Sequence, residues 1–475
     1  MNTRRNIRVL EVTQTHIHIH AHTFTPVSDD STKHRAQAFA RPQRSLTSLR
    51  LESPATLAMT RNTLCAHSPL FKHIEDDLRL WKEVNINEQT MRRHIDASRI
   101  TFAWLRGKAY VVHSPTAHRR LEAYDSFFRL EFTAYLIDMM SLEDAGLIPA
   151  SAAAELIITV EDPVLNPAVS PESQPAVGRY NKKISGPRSP SPDIRIPSWA
   201  FRMRNFDSAF LGSQLQRHAL RYPWESKRPV LFGRYTPYPH TEPRLVDRNG
   251  SRTKHTREYF VTHVTDWVPS ASVDLKISTP VKKCHPFCAN SSVDHAYTKV
   301  EMTEWGQYKY LLALAGVTWS GTCEMLLTLS SVPFLDTGGY ATYFSSALVP
   351  FKHYVPVWVK YPDDVAHALA WAQADDARAR DVARRAREFA AEHLTLRARQ
   401  CYWREVILQL GLKQPYFREA VANGQRTLIP VREYFNSHFR NAMANANGAT
   451  QGAPGRCMMR CMNAAPGVCT KPCMY

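Results

Sequence analysis

Residues 307–327, QYKYLLALAGVTWSGTCEMLL, join an apolar run to one glycine and a group of small hydroxyl-bearing residues. The run YKYLLALAG predicts a buried strand, and the residues after Ser320 predict the first turns of a helix. Between them, Gly316 lets a ligand approach the backbone, and Ser320 and Thr322 can donate hydroxyl hydrogen bonds. Free amides at a helix start bind phosphate, so the chemistry on offer is anion binding. The junction from Gly316 to Thr322 carries no lysine or arginine of its own. One glycine is not a phosphate loop, and an ordinary strand-to-helix turn has the same pattern.

Metal chemistry is less well served. Among nine cysteines, Cys284 and Cys288 form CHPFC, and Cys457, Cys461, Cys469 and Cys473 fall in the tail CMMRCMNAAPGVCTKPC. Gaps of three or seven residues are not the knuckle spacing of a zinc site, so a disulfide-linked or disordered tail is expected. Cys65, Cys323 and Cys401 stand alone in apolar or mixed surroundings and are expected to be buried free thiols. His16, His18, His20 and His22 alternate, which on a strand would align four imidazoles; the expectation is a low-complexity tract.

These residues need a scaffold, and 475 residues with 44% hydrophobic content suffice for two domains plus tails. A net formal charge of +17 points to an anionic partner or to basic ends. A nucleic-acid surface is not expected: no RRM, KH, helix-turn-helix or zinc-finger pattern is present, and over 375–392 five arginines alternate with acids and alanines. No apolar run reaches the roughly 18 residues that cross a bilayer, and the first residues lack the apolar core of a secretory signal.

Residues 1–60 read as disordered. FKHIEDDLRLWKEV predicts a helix packing Ile74, Leu78 and Trp81, ITFAWLRGKAYVV a hairpin around Arg106-Gly107, and RLEAYDSFFRLEFTAYLIDMM one amphipathic helix. AELIITVED predicts a strand ending in acids, and the Pro- and Ser-rich 166–198 an irregular passage. A second α/β pattern follows, with strands RPVLFGRYTPY, YKYLLALAG, SVPFLD and HYVPVWV, then a helix over 362–394 that packs Val365, Leu369, Trp371, Val382 and Phe389. The expected organisation is an α/β chain with lobes at 61–225 and 226–411, a cleft between them, and an extension from 412 to 475 with a mobile tail from 441.

The stretches YKYLLALAGVTWS, GGYATYFSSALVPFKHYVPVWV and DDVAHALAWAQADDARARDVARRAREFAAEHLTLRARQCYWREVIL, in that order, resemble the capsule-associated (CAP-ten-type) glycosyltransferase domain, family ninety of the glycosyltransferases. This family includes the Rumi-type protein O-glucosyltransferases and fungal capsule xylosyltransferases. HIEDDLRLW, LRGKAYVV, AAAELIITVEDP, DIRIPSWAF and YPWESKRPVLFGRY continue the likeness upstream, so it spans roughly 71–411.

The resemblance implies a GT-B fold with two Rossmann-like lobes, the first for the acceptor and the second for the donor. It implies transfer of a glucose- or xylose-class sugar from a UDP-sugar to a hydroxyl on a protein or glycan, without an obligatory metal. By the same resemblance Asp162 in ITVEDPV is the base, with Glu161 as its neighbouring alternative. Arg234 beside Gly233 meets the diphosphate, with Arg252 or Arg257 as substitutes.

Departures from the family pattern are equally specific. Thr322 stands where members carry an arginine or lysine two positions after the serine, Glu324 adds an acid nearby, and Thr342 replaces the glutamate before the aromatic pair Tyr343-Phe344. The alternative is therefore a catalytically impaired relative that binds carbohydrate or serves a structural purpose. Members act in the secretory lumen or are anchored there, whereas this chain as written shows neither signal nor anchor; a start upstream of Met1 would reconcile the two.

Overall fold

The computed structural model describes Cys65 and residues 68–123, 126–161, 170–184, 191–204, 206, 208–238, 244–245, 252–253, 255–277 and 300–439. The expectations for 1–60, for His16 to His22, for CHPFC and for the cysteine tail lie outside these residues. The chain is mixed α/β.

One six-stranded sheet is built on the hairpin of β1 (Ile100–Leu105) and β2 (Lys108–Val112). Arg106 and Gly107 turn the hairpin at φ of 50° and 77°. The sheet continues from β1 through antiparallel β3 (Ala153–Ile158), then parallel β4 (Val177–Arg179) and β6 (Ile194–Arg195). Short β5 (Lys182–Lys183) lies between these two in sequence, so the passage expected to be irregular supplies three strands. They carry charge because charge is neutralised there. Asp77 is fully buried and accepts from Arg195 Nη2 at 2.7 Å and Lys182 Nζ at 2.9 Å. Burial alone would raise its carboxyl, but Arg195 and Lys182 outweigh burial and hold it below the ordinary range.

The expected single helix over 120–140 is two, Pro115–Glu122 and Ser126–Asp144. The helix over 362–394 is also divided, into Asp364–Gln373 and Asp376–His393, by Asp375, whose carboxylate accepts from Arg378 N at 2.9 Å as an N-cap. Val365, Leu369, Val382 and Phe389 are buried as expected. Trp371 is only partly buried, with the Arg378 guanidinium 4.2 Å from its ring centroid.

The other large sheet is wholly parallel: β7 (Arg228–Tyr235), β10 (Val273–Ile277), β11 (Tyr308–Ala313), β12 (Val332–Leu335) and β14 (Val355–Pro356), in the order β10-β7-β11-β12-β14. β10 is not among the expected strands, because VDLKI is short and alternates two charges with its apolar residues. Leu231, Leu312 and Phe334 pack with the helices Thr256–Trp267 and Asp364–Gln373, while Phe232, Leu311 and Leu335 join the larger core of the six-stranded sheet. Covering both faces explains why these strands read as near-continuous apolar runs. Between them come the ribbon of β8 (Arg244–Leu245) and β9 (Arg252–Thr253) and short β13 (Tyr340–Ala341), which pairs with β5.

The segment after 411, set apart in the sequence as an extension, returns to the first sheet, where β15 (Leu428–Pro430) pairs with β2. Buried Glu155 on β3 receives Arg426 Nε at 2.9 Å and Tyr416 Oη at 3.0 Å. The helix Leu396–Leu412 packs on β3 and brings Cys401 to Cys65, which form a disulfide. This corrects the expectation of free thiols at both positions. Cys323 is free and buried.

Two outcomes follow for stability. Reduction of the Cys65–Cys401 bond releases a loop of 336 residues and costs about 2–5 kcal/mol. Thermal melting with and without reductant should show a lower midpoint on reduction, whereas a Cys65→Ser/Cys401→Ser protein melts alike in both. Arg195→Met leaves Asp77 buried beside Lys182 alone and costs about 3–5 kcal/mol in urea unfolding at neutral pH. Because the folded Asp77 pKa lies below its ordinary 3.8, this contribution is full above that value. It disappears as the pH falls through the folded pKa, so the gap between the two proteins narrows in acid.

Candidate functional site

In the parallel sheet the strand order reverses between β7 and β11, because β10 lies on the outer side of β7 and β12 beyond β11. Ligands of open parallel sheets bind outside the carboxyl ends of the strands at such a point. The segments leaving β7 and β11 there are Thr236 onward and Leu314 to Thr322.

Arg257, in the first turn of the helix Thr256–Trp267, spans this gap. Its Nη1 donates to the Thr236 carbonyl at 2.8 Å, its Nη2 to the Leu314 carbonyl at 2.9 Å and its Nε to the Ala315 carbonyl at 3.2 Å. Gly316 is the residue that admits it, since a Cβ there would stand 2.9 Å from Arg257 Nη2. Opposite, buried Asp336 closes β12 and accepts the Ala315 amide at 3.2 Å and the Gly338 amide at 2.9 Å.

Arg234 points elsewhere. Its Nη1 donates to the Asp274 carbonyl at 2.7 Å and its Nη2 to Asp274 Oδ1 at 2.8 Å, with the guanidinium carbon 4.2 Å from the Phe232 ring centroid. It thus joins β7 to β10. The space beside Gly233 is filled by the Tyr235 phenol, which donates to the Leu312 carbonyl at 3.0 Å. Arg252 stands in β9, opposite Leu245 of β8.

Beyond Gly316, the Gly316 amide donates to the Thr318 carbonyl at 3.0 Å, and Asn181 Nδ2 donates to Thr318 Oγ1 at 3.2 Å. Asn181 follows β4, so residues of the first sheet's neighbourhood reach this turn. Ser320 is buried and Thr322 half-buried at the start of the one-turn helix Cys323–Leu326. Thr322 makes no side-chain cap bond.

Glu324, in that turn, is buried, and burial pushes its carboxyl up to about 7 against the pull of Arg204. Arg204 Nη1 stands 3.7 Å from Glu324 Oε2 and donates to the Gly321 carbonyl. Thr342 takes a local part, its amide donating to Ser345 Oγ at 2.7 Å. Asp162 lies outside the described residues; Glu161 pairs with Arg99 at 2.8 Å.

Arg257 thus stands against Gly316, Ser320 and Thr322 lie in the turn that follows it, and Arg234 goes to β10. Three contributors are absent from the sequence reading. Asp336 had a visible signal, the acid ending SVPFLD, whereas Asp274 and Arg204 act across 40 and 117 residues with no local cue.

Arg257 and Gly316 should be energetically coupled. Gly316→Ala pushes the guanidinium off its carbonyls and destabilises the wild type by about 1–3 kcal/mol. In an Arg257→Ala background the same change is nearly neutral, and the coupling is read by denaturant unfolding of the four proteins. Equal effects in both backgrounds would separate the two residues.

Comparison with known proteins gives one family and a set of relatives. The family described as Glycosyl transferase family 90 matches residues 61–459. The chain is similar to O-glucosyltransferase rumi of Drosophila melanogaster, 25% identical over 230 residues that cover 45% of this chain and 50% of that protein. It is similar to Protein O-glucosyltransferase 1 of Homo sapiens at 23% over 284 residues, 57% of this chain and 64% of that one. The rumi homolog of Anopheles gambiae is 26% identical over 222 residues, 46% and 52% respectively. The matched regions span about half to two thirds of the length of these relatives.

Proposed function

Because the chain belongs to glycosyl transferase family 90, we propose that it transfers a glucose- or xylose-class sugar from a UDP-sugar to a hydroxyl on a protein or glycan. In this reading the six-stranded and parallel sheets are the cores of the acceptor and donor lobes of a GT-B arrangement. The family match carries the proposal, and the carboxyl edge of the parallel sheet supports it. Two hydroxyl side chains lie in the turn that leaves β11 at the edge where such sheets take nucleotides.

The acceptor oxygen forms a bond to the anomeric carbon as the bond from that carbon to the UDP oxygen breaks. Asp162 accepts the proton released by the acceptor hydroxyl, and the charge growing on the diphosphate is met by amides and hydroxyls of the turn. No metal is required by this sequence of events. The Cys65–Cys401 disulfide suits an oxidising compartment such as the secretory lumen.

A second reading, a carbohydrate-binding or structural protein without transfer, is favoured by one observation. Arg234 and Arg257 both hold internal acceptors, and Thr322 brings no charge. Incubation with labelled UDP-glucose and UDP-xylose and a serine-bearing acceptor protein separates the two readings. Transfer should fall by about 10²–10⁴ in Asp162→Asn while UDP binding by calorimetry is kept. A folded wild type that binds no UDP and transfers no label would leave the second reading.

A further inference from the structure

The turn Ser320–Thr322 carries two hydroxyl side chains and no cation in its own sequence, yet a guanidinium reaches it from elsewhere. Arg204 follows the short helix Ala200–Met203 and donates from Nη1 to the Gly321 carbonyl. A Cβ at Gly321 would lie 3.7 Å from Arg204 Nη2. The segment around Arg204 is held on both sides. Arg202 Nη2 pairs with Asp138 at 2.8 Å, and Arg399 Nη1 donates to the Phe206 carbonyl at 3.0 Å. Buried Glu324, in the helical turn that follows, stands 3.7 Å from Arg204 Nη1. About a quarter of the Arg204 side chain stays open to solvent, at 28%, against 7% for Arg234.

We propose that Arg204 supplies from outside the turn the positive charge that the turn lacks, and that it binds the diphosphate of a nucleoside diphosphate seated on Ser320–Thr322. The inference rests on the donor-binding reading above. It assigns the charge to a residue far from the β11 junction in sequence and to none of the three arginines expected there. The planar guanidinium of arginine suits this task, since its several N–H donors can serve a carbonyl and a phosphate oxygen together.

The test is calorimetric titration of the full chain with UDP. Arg204→Gln keeps a donor for the Gly321 carbonyl and removes only the charge, so it should fold with a melting midpoint close to wild type and bind UDP about 10- to 100-fold more weakly. Placing the charge on the turn itself, as Arg204→Gln/Thr322→Arg, should recover at least about tenfold of that loss. Unchanged affinity in Arg204→Gln overturns the inference and leaves the donor-binding reading intact. Weakened binding that Thr322→Arg does not recover also overturns it, assigning Arg204 to shaping the turn. A folded wild type without UDP binding overturns the reading and the inference together.

Discussion

The carboxyl edge of the parallel sheet depends on one buried guanidinium. Where β7 and β11 end, the carbonyls of Thr236, Leu314 and Ala315 converge on the same small volume. Three carbonyl dipoles pointing at one another would repel each other and any anion brought near them. Arg257 supplies the donors they require, and Asp336 takes the Ala315 amide from the other side. The backbone between Ala313 and Gly316 is thereby fixed at both its amide and its carbonyls, and the turn beyond it starts from a defined point. Such fixation is what a binding site for a compact charged group needs, because little rearrangement remains to be done on binding.

Charge is used in the same way in the first sheet. Asp77 gathers Arg195 and Lys182 from β6 and β5, and Glu155 gathers Arg426 and Tyr416 from beyond residue 411. Each cluster ties together segments that hydrophobic contact alone would bring close without choosing a register. His73 belongs to the first of these. Burial, with Arg195 nearby, lowers its pKa to about 3, so the ring is neutral and its Nε2 accepts the Ser346 amide at 2.7 Å. One buried charge cluster thus reaches from the helix Lys72–Asp77 to the loop after β13.

Much of this was legible in the residues. The hairpin β1–β2 and the strands β3, β7, β11, β12 and β14 appear as apolar runs bounded by turn residues, because strands covered on both faces tolerate few polar side chains. The strands within 166–198 are two or three residues long and rich in lysine and arginine, so their membership of sheets depends on Asp77 and on β13, far away in sequence. At the candidate site, the strand and the turn after Gly316 were readable because their geometry is local. The true partners of Arg234 and Arg257 were not, since a guanidinium's choice among acceptors is decided by which carbonyls the fold brings within reach. The pairing of Cys65 with Cys401 is of the same kind: apolar surroundings signal burial of a thiol and say nothing about a second sulfur.

The return of the chain to its first sheet bears on how the protein is made. Among the described residues, β2 has its outer neighbour in β15, and Glu155 has its cation in Arg426, 271 residues later. During synthesis the strands of the parallel sheet leave the ribosome before the first sheet can close. An edge of β2 and an uncompensated acid on β3 therefore wait through most of translation, a state of long-range dependence that slows folding and invites mispairing. Chaperones that shield unfinished sheet edges would be needed most at this stage, and truncations just before Arg426 would arrest the chain there.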